Sequence, residues 1–326
     1  MATLLTMRDG IKNFCSRYDK VITPIIKFVL AFVMFLSFTY LTGYNDTVSS
    51  GLIMFLLSVV CAFVSEGITL FLGGVVLIMN YMSASKEIGI TFILVFVVMY
   101  CIYIRFFPKT AWLILYAPLF FMLKLQYLLP LLAGMLVGPA GVISMAFGCV
   151  FYYFGINTAG YLEEMAAATN AEEMLESYKY LFQNLVEDKN LILTIVVFAV
   201  ISIITYVIYR MSVEYAWYAA IIVGGLFEII LFLVGNVLLD ANVSISGILG
   251  GTIVAVIIAV IVQFFKVVVD YSRTENTQFE DDEYYYYVKA VPKVVMGKQQ
   301  KNVRTISTST QDTADSKEGS VSGVTR

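Results

Sequence analysis

Glu228 stands alone in the apolar run Ala216 to Leu239, within Gly224-Gly-Leu-Phe-Glu-Ile-Ile. A charge near the centre of a bilayer costs about 2.5–3.5 kcal/mol on insertion scales. An acid there faces protein or water, or is protonated, and serves either an ion or solute path or a buried hydrogen bond. Two more ionisable residues interrupt apolar sequence. Glu66 splits Gly51 to Met82 at Ser65-Glu66-Gly67, and Lys124 splits Ala111 to Leu123 from Leu125 to Val137, with Pro118 and Pro130 inside the pieces. Helices broken at matching places free backbone groups and end dipoles that bind ions or polar solutes. An ordinary turn at the water boundary is the plainer alternative for both. The candidates for a substrate or ion pathway are therefore Glu228, Glu66 and Lys124.

The absence of histidine excludes much other chemistry. Ser-His-Asp hydrolysis, Cys-His pairs, histidine zinc sites and the HExxH motif are all out. Ser244-Ile-Ser-Gly247 lacks a base and reads as the start of a helix. No GxxxxGK[ST] loop is present, so nucleotide hydrolysis would belong to a partner. Enzymes acting on lipid or envelope precursors gather acidic, basic or histidine groups at one membrane face, and no such cluster occurs. The expectation is no enzyme, no cofactor, no metal site and no nucleic-acid partner.

The elements that must position these residues follow from composition. The chain of 326 residues is 60% hydrophobic and 14% charged, with mean hydropathy +0.83. Soluble domains hold about 45–50% apolar and about 25% charged residues, so the partner is the lipid bilayer. The apolar runs are continuous rather than alternating, which argues for helices and against a β-barrel. Six break cleanly: Val21 to Leu41, Ile88 to Ile104, Pro139 to Ile156, Leu191 to Tyr209, Ala216 to Leu239 and Gly247 to Val269. Gly51 to Met82 and Thr110 to Val137 are each too long for one crossing and too short for two. Each is two short helices, one long tilted helix, or a re-entrant pair.

Counting each region as two passes puts Arg8, Lys12, Arg17, Lys20, Arg105, Lys109, Arg210 and Arg273 on one side with both termini. Positive residues favour the cytoplasmic side, so ten spans are preferred over eight. The fold expected is an all-α polytopic transmembrane bundle of about ten spans (eight to ten), in the cell membrane with both termini cytoplasmic. Val21 to Leu41 is too long for a signal-peptide core and reads as an uncleaved first span. Cys15, Cys61, Cys101 and Cys149 fall in the leader or in spans and make no extracellular disulfide framework. Lys27 and Lys266 snorkel as anchors. Gly134-xxx-Gly138 and Gly247-xxx-Gly251 permit close helix approach, within the bundle or at a dimer seam.

By region, residues 1–20 form a cytoplasmic leader and 21–156 a bundle with short or broken helices. Residues 157–190 form an acidic extracytoplasmic loop, 191–270 three further spans, and 271–326 a cytoplasmic tail, mostly disordered. In the loop, Asn170 and Glu173 make a capping box, and Met174, Tyr178, Leu181 and Leu185 recur at helical spacing. This predicts an amphipathic helix, lying on the membrane or serving as a lid. The tail from Thr305 has too few large apolar residues to fold. Before it come Glu280, Asp281, Asp282 and Glu283, then Tyr284, Tyr285, Tyr286 and Tyr287 and a Val-rich run of high strand propensity. This segment adds a strand to the sheet edge of a cytosolic protein, or rests its tyrosines at the headgroups.

Asp281-Asp-Glu-Tyr-Tyr-Tyr-Tyr-Val-Lys-Ala-Val-Pro-Lys293 after a final span resembles the ending of an uncharacterised multi-pass membrane family of low-GC Gram-positive bacteria. That resemblance implies no activity. Gly51 to Tyr153, with Leu129-Pro-Leu-Leu-Ala-Gly-Met-Leu-Val-Gly-Pro-Ala-Gly141, is loosely similar to the six-helix layout of the MreD rod-shape family and of vitamin-uptake S components. The chain departs from both by its acidic loop, three more spans and tail. The function expected is a transporter or permease component for a small solute or ion. The alternative is a non-catalytic scaffold that recruits a cytosolic or envelope partner through its acidic-tyrosine tail.

Overall fold

The computed structural model describes residues 2–167, 183–266, 275–280 and 284–290. The loop helix expected from Asn170, the acidic residues Asp281, Asp282 and Glu283, and the tail beyond 290 lie outside the described residues. Of the predicted loop stripe, Leu185 is described and is buried.

Helix α1 (Ala2–Arg17) leads into α2 (Asp19–Thr42). The first ambiguous region is two helices, α3 (Gly51–Cys61) and α4 (Glu66–Ala84). Helix α5 (Lys86–Val98) runs on as the π-helix Met99–Ile104. The second region is also two helices: α6 (Ala111–Met122), then α7 (Leu128–Leu132) continuing as the π-helix Ala133–Val137. Helices α8 (Ala140–Ala167), α9 (Lys189–Tyr209), α10 (Ala216–Leu238) and α11 (Ile245–Lys266) complete the helical part.

Among the described residues six helices are long and apolar enough to cross a membrane: Asp19–Thr42, Glu66–Ala84, Ala140–Thr158, Lys189–Tyr209, Ala216–Leu238 and Ile245–Lys266. Five match the runs read from the sequence. Glu66–Ala84 takes the place of Ile88 to Ile104, because α-helical bonding in that run gives way to π bonding at Met99. Ser65, extended at φ −74° and ψ 157°, lets α4 begin on Glu66, where a carboxylate suits the positive end of the helix dipole. Two of the other helices are far shorter. Helix α3 has 11 residues and α6 has 12, about half the length that roughly 30 Å of hydrocarbon requires.

The chain runs back and forth between two ends, one holding Lys27 and the other Asp188. Lys27 donates to the Val64 carbonyl at 3.3 Å, so α3 returns to the end where α2 began. Helix α4 leads away again, and at its far end Asn80 accepts from the Asn45 amide at 3.2 Å. Helix α5 comes back beside it, with Phe71 and Tyr100 rings 5.5 Å apart. Helices α6 and α8 run side by side in the same direction: a methyl on Gly148 would meet the Leu113 carbonyl at 3.2 Å, and Phe121 stacks on Tyr152 at 4.3 Å. Helix α7 therefore descends between two rising helices. Lipid tails are as apolar as leucine, so burial alone does not bring helices together in a bilayer, and close packing does that work. Tyr81, Phe92 and Phe154, all fully buried, meet at 4.8–5.4 Å and join α4, α5 and α8.

Beyond α11 the chain forms a two-stranded antiparallel hairpin, β1 (Glu275–Glu280) and β2 (Tyr285–Ala290), with Glu280 opposite Tyr285. The strand propensity of the tyrosine run is thus met inside the chain. Apart from this hairpin the described chain is helical, as the sequence led us to expect.

Candidate functional site

Helix α6 ends in a reversal that its own sequence does not favour. The Leu125 amide bonds to the Phe120 carbonyl at 2.7 Å and the Lys124 amide to the Phe121 carbonyl at 3.0 Å, the paired bonds of a Schellman cap. That cap places Lys124 at φ +57°, a left-handed position normally left to glycine. Helix α7 then carries Pro130, shifts to π bonding at Ala133 and stops at Gly138, whose φ of +84° no side-chain-bearing residue takes comfortably. The α6–α7 hairpin is irregular at its tip and along its descending arm.

The tip lies beside a cavity of about 770 Å³ at the Asp188 end, lined by Lys124, Gln126, Tyr127, Asn157, Asp188 and Asn190 among others. Asp188 is fixed there. Its Oδ1 accepts from the amides of Asn190 and Leu191 at 2.9 and 3.2 Å, capping α9, and its Oδ2 accepts from Asn157 Nδ2 at 2.9 Å. Tyr127 and Phe232 also line the cavity and pack edge to face at 5.3 Å, and Phe232 meets Phe198 in the same way at 5.9 Å.

Glu228 lies one helical turn beyond Phe232, on the far side of these rings. It is fully buried, and neither carboxyl oxygen has a hydrogen-bond partner among the described residues. Contacts between α9 and α10 place Gly224 against Thr205, Phe232 against Phe198 and Gly235 against Leu193. Midway along that antiparallel pair, Glu228 comes level with Ile201 and Ser202. On its other flank, a methyl on Gly225 would lie 3.5 Å from Thr252 Cγ2 on α11. Ser202, Thr205 and Thr252 are buried, and their hydroxyls too lack partners among the described residues.

The three pathway candidates are not brought together. Glu66 is exposed at the Lys27 end, beside a small pocket of about 80 Å³ that it lines with Lys27, Cys61, Thr69 and Tyr116. Lys124 lines the cavity at the opposite end, and Glu228 is enclosed by α7, α9, α10 and α11. Of the packing glycines, a Cβ on Gly134 would meet the Ser202 carbonyl at 2.7 Å, and one on Gly138 would meet the Tyr206 ring at 2.9 Å. Gly251 faces the Tyr127 ring, while Gly247 faces Ser244 in its own first turn and lines the cavity. Tyr284, Tyr285 and Tyr287 are exposed on the hairpin, and Tyr286 is only 38% exposed.

Sequence reading missed Ser202, Thr205 and Thr252, which resemble any small hydroxyl in an apolar helix. It also gave Lys266 an anchoring role alone. Lys266 donates to the Met135 carbonyl at 2.7 Å and sits over the Tyr209 ring, tying α11 to the π-helical arm. No group of three or more His, Cys, Asp or Glu suited to a metal ion occurs among the described residues. Comparison with protein-family models, curated proteins and solved structures gives no match for this chain.

Proposed function

We propose that this chain is a multi-pass membrane permease, or the membrane component of one, that moves a small solute or ion along a route through Glu228. The observation that carries the reading is a buried carboxyl with no hydrogen-bond partner among the described residues, one turn behind aromatic rings that line a cavity holding Lys124, Asp188 and Asn190. Ionisable residues inside membrane helices are expensive and mark pathways. Broken helices near such residues supply backbone groups for polar cargo. The α6–α7 hairpin supports the reading on both counts.

About ten passes with both termini in the cytoplasm suit this role, since Arg105, Lys109 and Arg210 then join the basic leader on one side. Single cysteines at Phe107 and Lys86, in a background where Cys15, Cys61, Cys101 and Cys149 are replaced by serine or alanine, check the topology. An impermeant maleimide added to intact cells should label position 86 and leave 107 untouched. Eight spans reverse both results.

The function itself is tested in proteoliposomes on a solid-supported membrane, with concentration jumps of sodium, potassium, protons and a panel of amino acids. The wild-type protein should displace charge or accumulate one of these solutes. Glu228→Gln, equal in size and without charge, should lower the signal at least tenfold while inserting normally. Full activity in that variant removes the acid from the mechanism.

A further inference from the structure

Nine of the twelve buried serine and threonine hydroxyls among the described residues have a hydrogen-bond partner. Ser37, Thr42, Ser58, Thr69, Thr91, Thr110, Thr158 and Thr194 each donate to a carbonyl three or four residues earlier, and Ser144 donates to the Tyr103 hydroxyl. The buried serines and threonines left over are Ser202, Thr205 and Thr252. All three lie around Glu228. Three independent exceptions at one place, on two helices flanking a lone acid, mark a shared purpose.

Geometry explains how they converge. Side chains on a helix lean toward its N-terminus, so the Glu228 carboxyl reaches back over the turn that holds Gly224 and Gly225. Leu131 Cδ2 and Val256 Cγ2 reach over these two glycines, 2.8 Å from a methyl on Gly224 and 2.4 Å from one on Gly225. A methyl on Gly224 would stand 2.6 Å from Thr205 Oγ1, so that hydroxyl faces the same turn. Thr252 borders it at Gly225, and Ser202 lies one turn from Thr205 on the same face of α9.

We infer that Glu228, Ser202, Thr205 and Thr252 bind one monovalent cation of sodium's size. Two carboxyl oxygens and three hydroxyl oxygens form the all-oxygen set that hard cations take. One negative charge balances one positive charge, and a divalent ion would leave an excess in a low-dielectric interior. A proton on Glu228 is the competing occupant, and the dependence on sodium tells the two apart. Tyr127, Phe198 and Phe232 separate this site from the cavity, through which the ion arrives. The inference rests on the permease reading and supplies its coupling ion.

Thermal unfolding of the purified protein in nanodiscs, in sodium, potassium or choline chloride at constant ionic strength, tests this without any variant. Binding to the native state alone raises the melting temperature with ligand concentration. Sodium should raise it by several degrees over choline, and potassium should do less. Binding of radioactive sodium by scintillation proximity should lose at least tenfold in apparent affinity in Thr252→Val and in Ser202→Ala, and all specific signal in Glu228→Gln. Equal melting in all three salts, or an undiminished sodium shift in Glu228→Gln, overturns the site. Charge displacement that needs Glu228 and protons but not sodium keeps the permease and overturns the sodium site. Sodium binding without displacement of any tested solute or ion keeps the site and overturns the permease.

Discussion

Gly134→Leu is expected to prevent the bundle from assembling. Even a single Cβ at Gly134 would stand 2.7 Å from the Ser202 carbonyl oxygen and 2.8 Å from Thr205 Cβ, both on α9. The first is backbone, which no rotamer change can move. Helix α7 is also held where it is by Gly138 under the Tyr206 ring and by the Lys266 bond to Met135. The arm has nowhere to retreat. Overpacking a tight interior costs about 1–3 kcal/mol when some adjustment is available. Gly134→Ala should show a loss of that order as earlier unfolding in a denaturant titration, and leucine should exceed it and yield aggregated protein on fluorescence-detected size-exclusion chromatography. Gly250→Leu is the control: nothing lies within 4 Å of its added Cβ, and it faces outward on α11. It should elute as the wild type does. Equal behaviour of Gly134→Leu and Gly250→Leu would mean that α7 does not pack on α9.

What could be read from the sequence was whatever depends on length and on the rarity of charge. A run such as Leu191 to Tyr209 is legible as a helix long and apolar enough to span, because hydrocarbon thickness fixes the number of residues and lipid forbids unpaired backbone. Glu66 and Lys124 mark real breaks for the same reason, and Glu228 stands out as one acid among apolar residues. The hydroxyl cluster was not legible. Thr194 and Thr205 occupy the same helix in similar surroundings by sequence, yet Thr194 bonds back to Asn190 at 2.7 Å and Thr205 does not. That difference is set across the interface, where Gly224 stands opposite Thr205, and the register that pairs residues 205 and 224 on neighbouring helices is a tertiary property. The π-helical stretch Ala133–Val137 likewise carries ordinary helix-forming residues, and its bonding follows from how α7 is held by its neighbours. In the tail, strand propensity was visible at Tyr284 to Val288. Its partner was hidden, since Glu275–Glu280 is mostly polar and becomes a strand by pairing with β2.

Glu228→Met should make the protein more stable and inactive at once. A buried polar atom without a partner costs about 1–3 kcal/mol, and Glu228 has two such oxygens in the middle of an apolar helix. Methionine is close in size, flexible and apolar, so it can follow the same path over Gly224 and Gly225 without leaving polar atoms behind. Replacing buried ionic groups by apolar residues of similar volume is often stabilising by about 1–4 kcal/mol. In choline chloride the variant should therefore melt above the wild type, while its charge displacement falls to background. The sign separates two roles for the acid. A glutamate that held α9, α10 and α11 together through hydrogen bonds would be missed when removed, and Glu228→Met would then melt lower. A glutamate kept for a ligand is a liability whenever the ligand is absent. Raising sodium should accordingly narrow the gap, because the ion stabilises only the chain that still has the carboxylate to bind it.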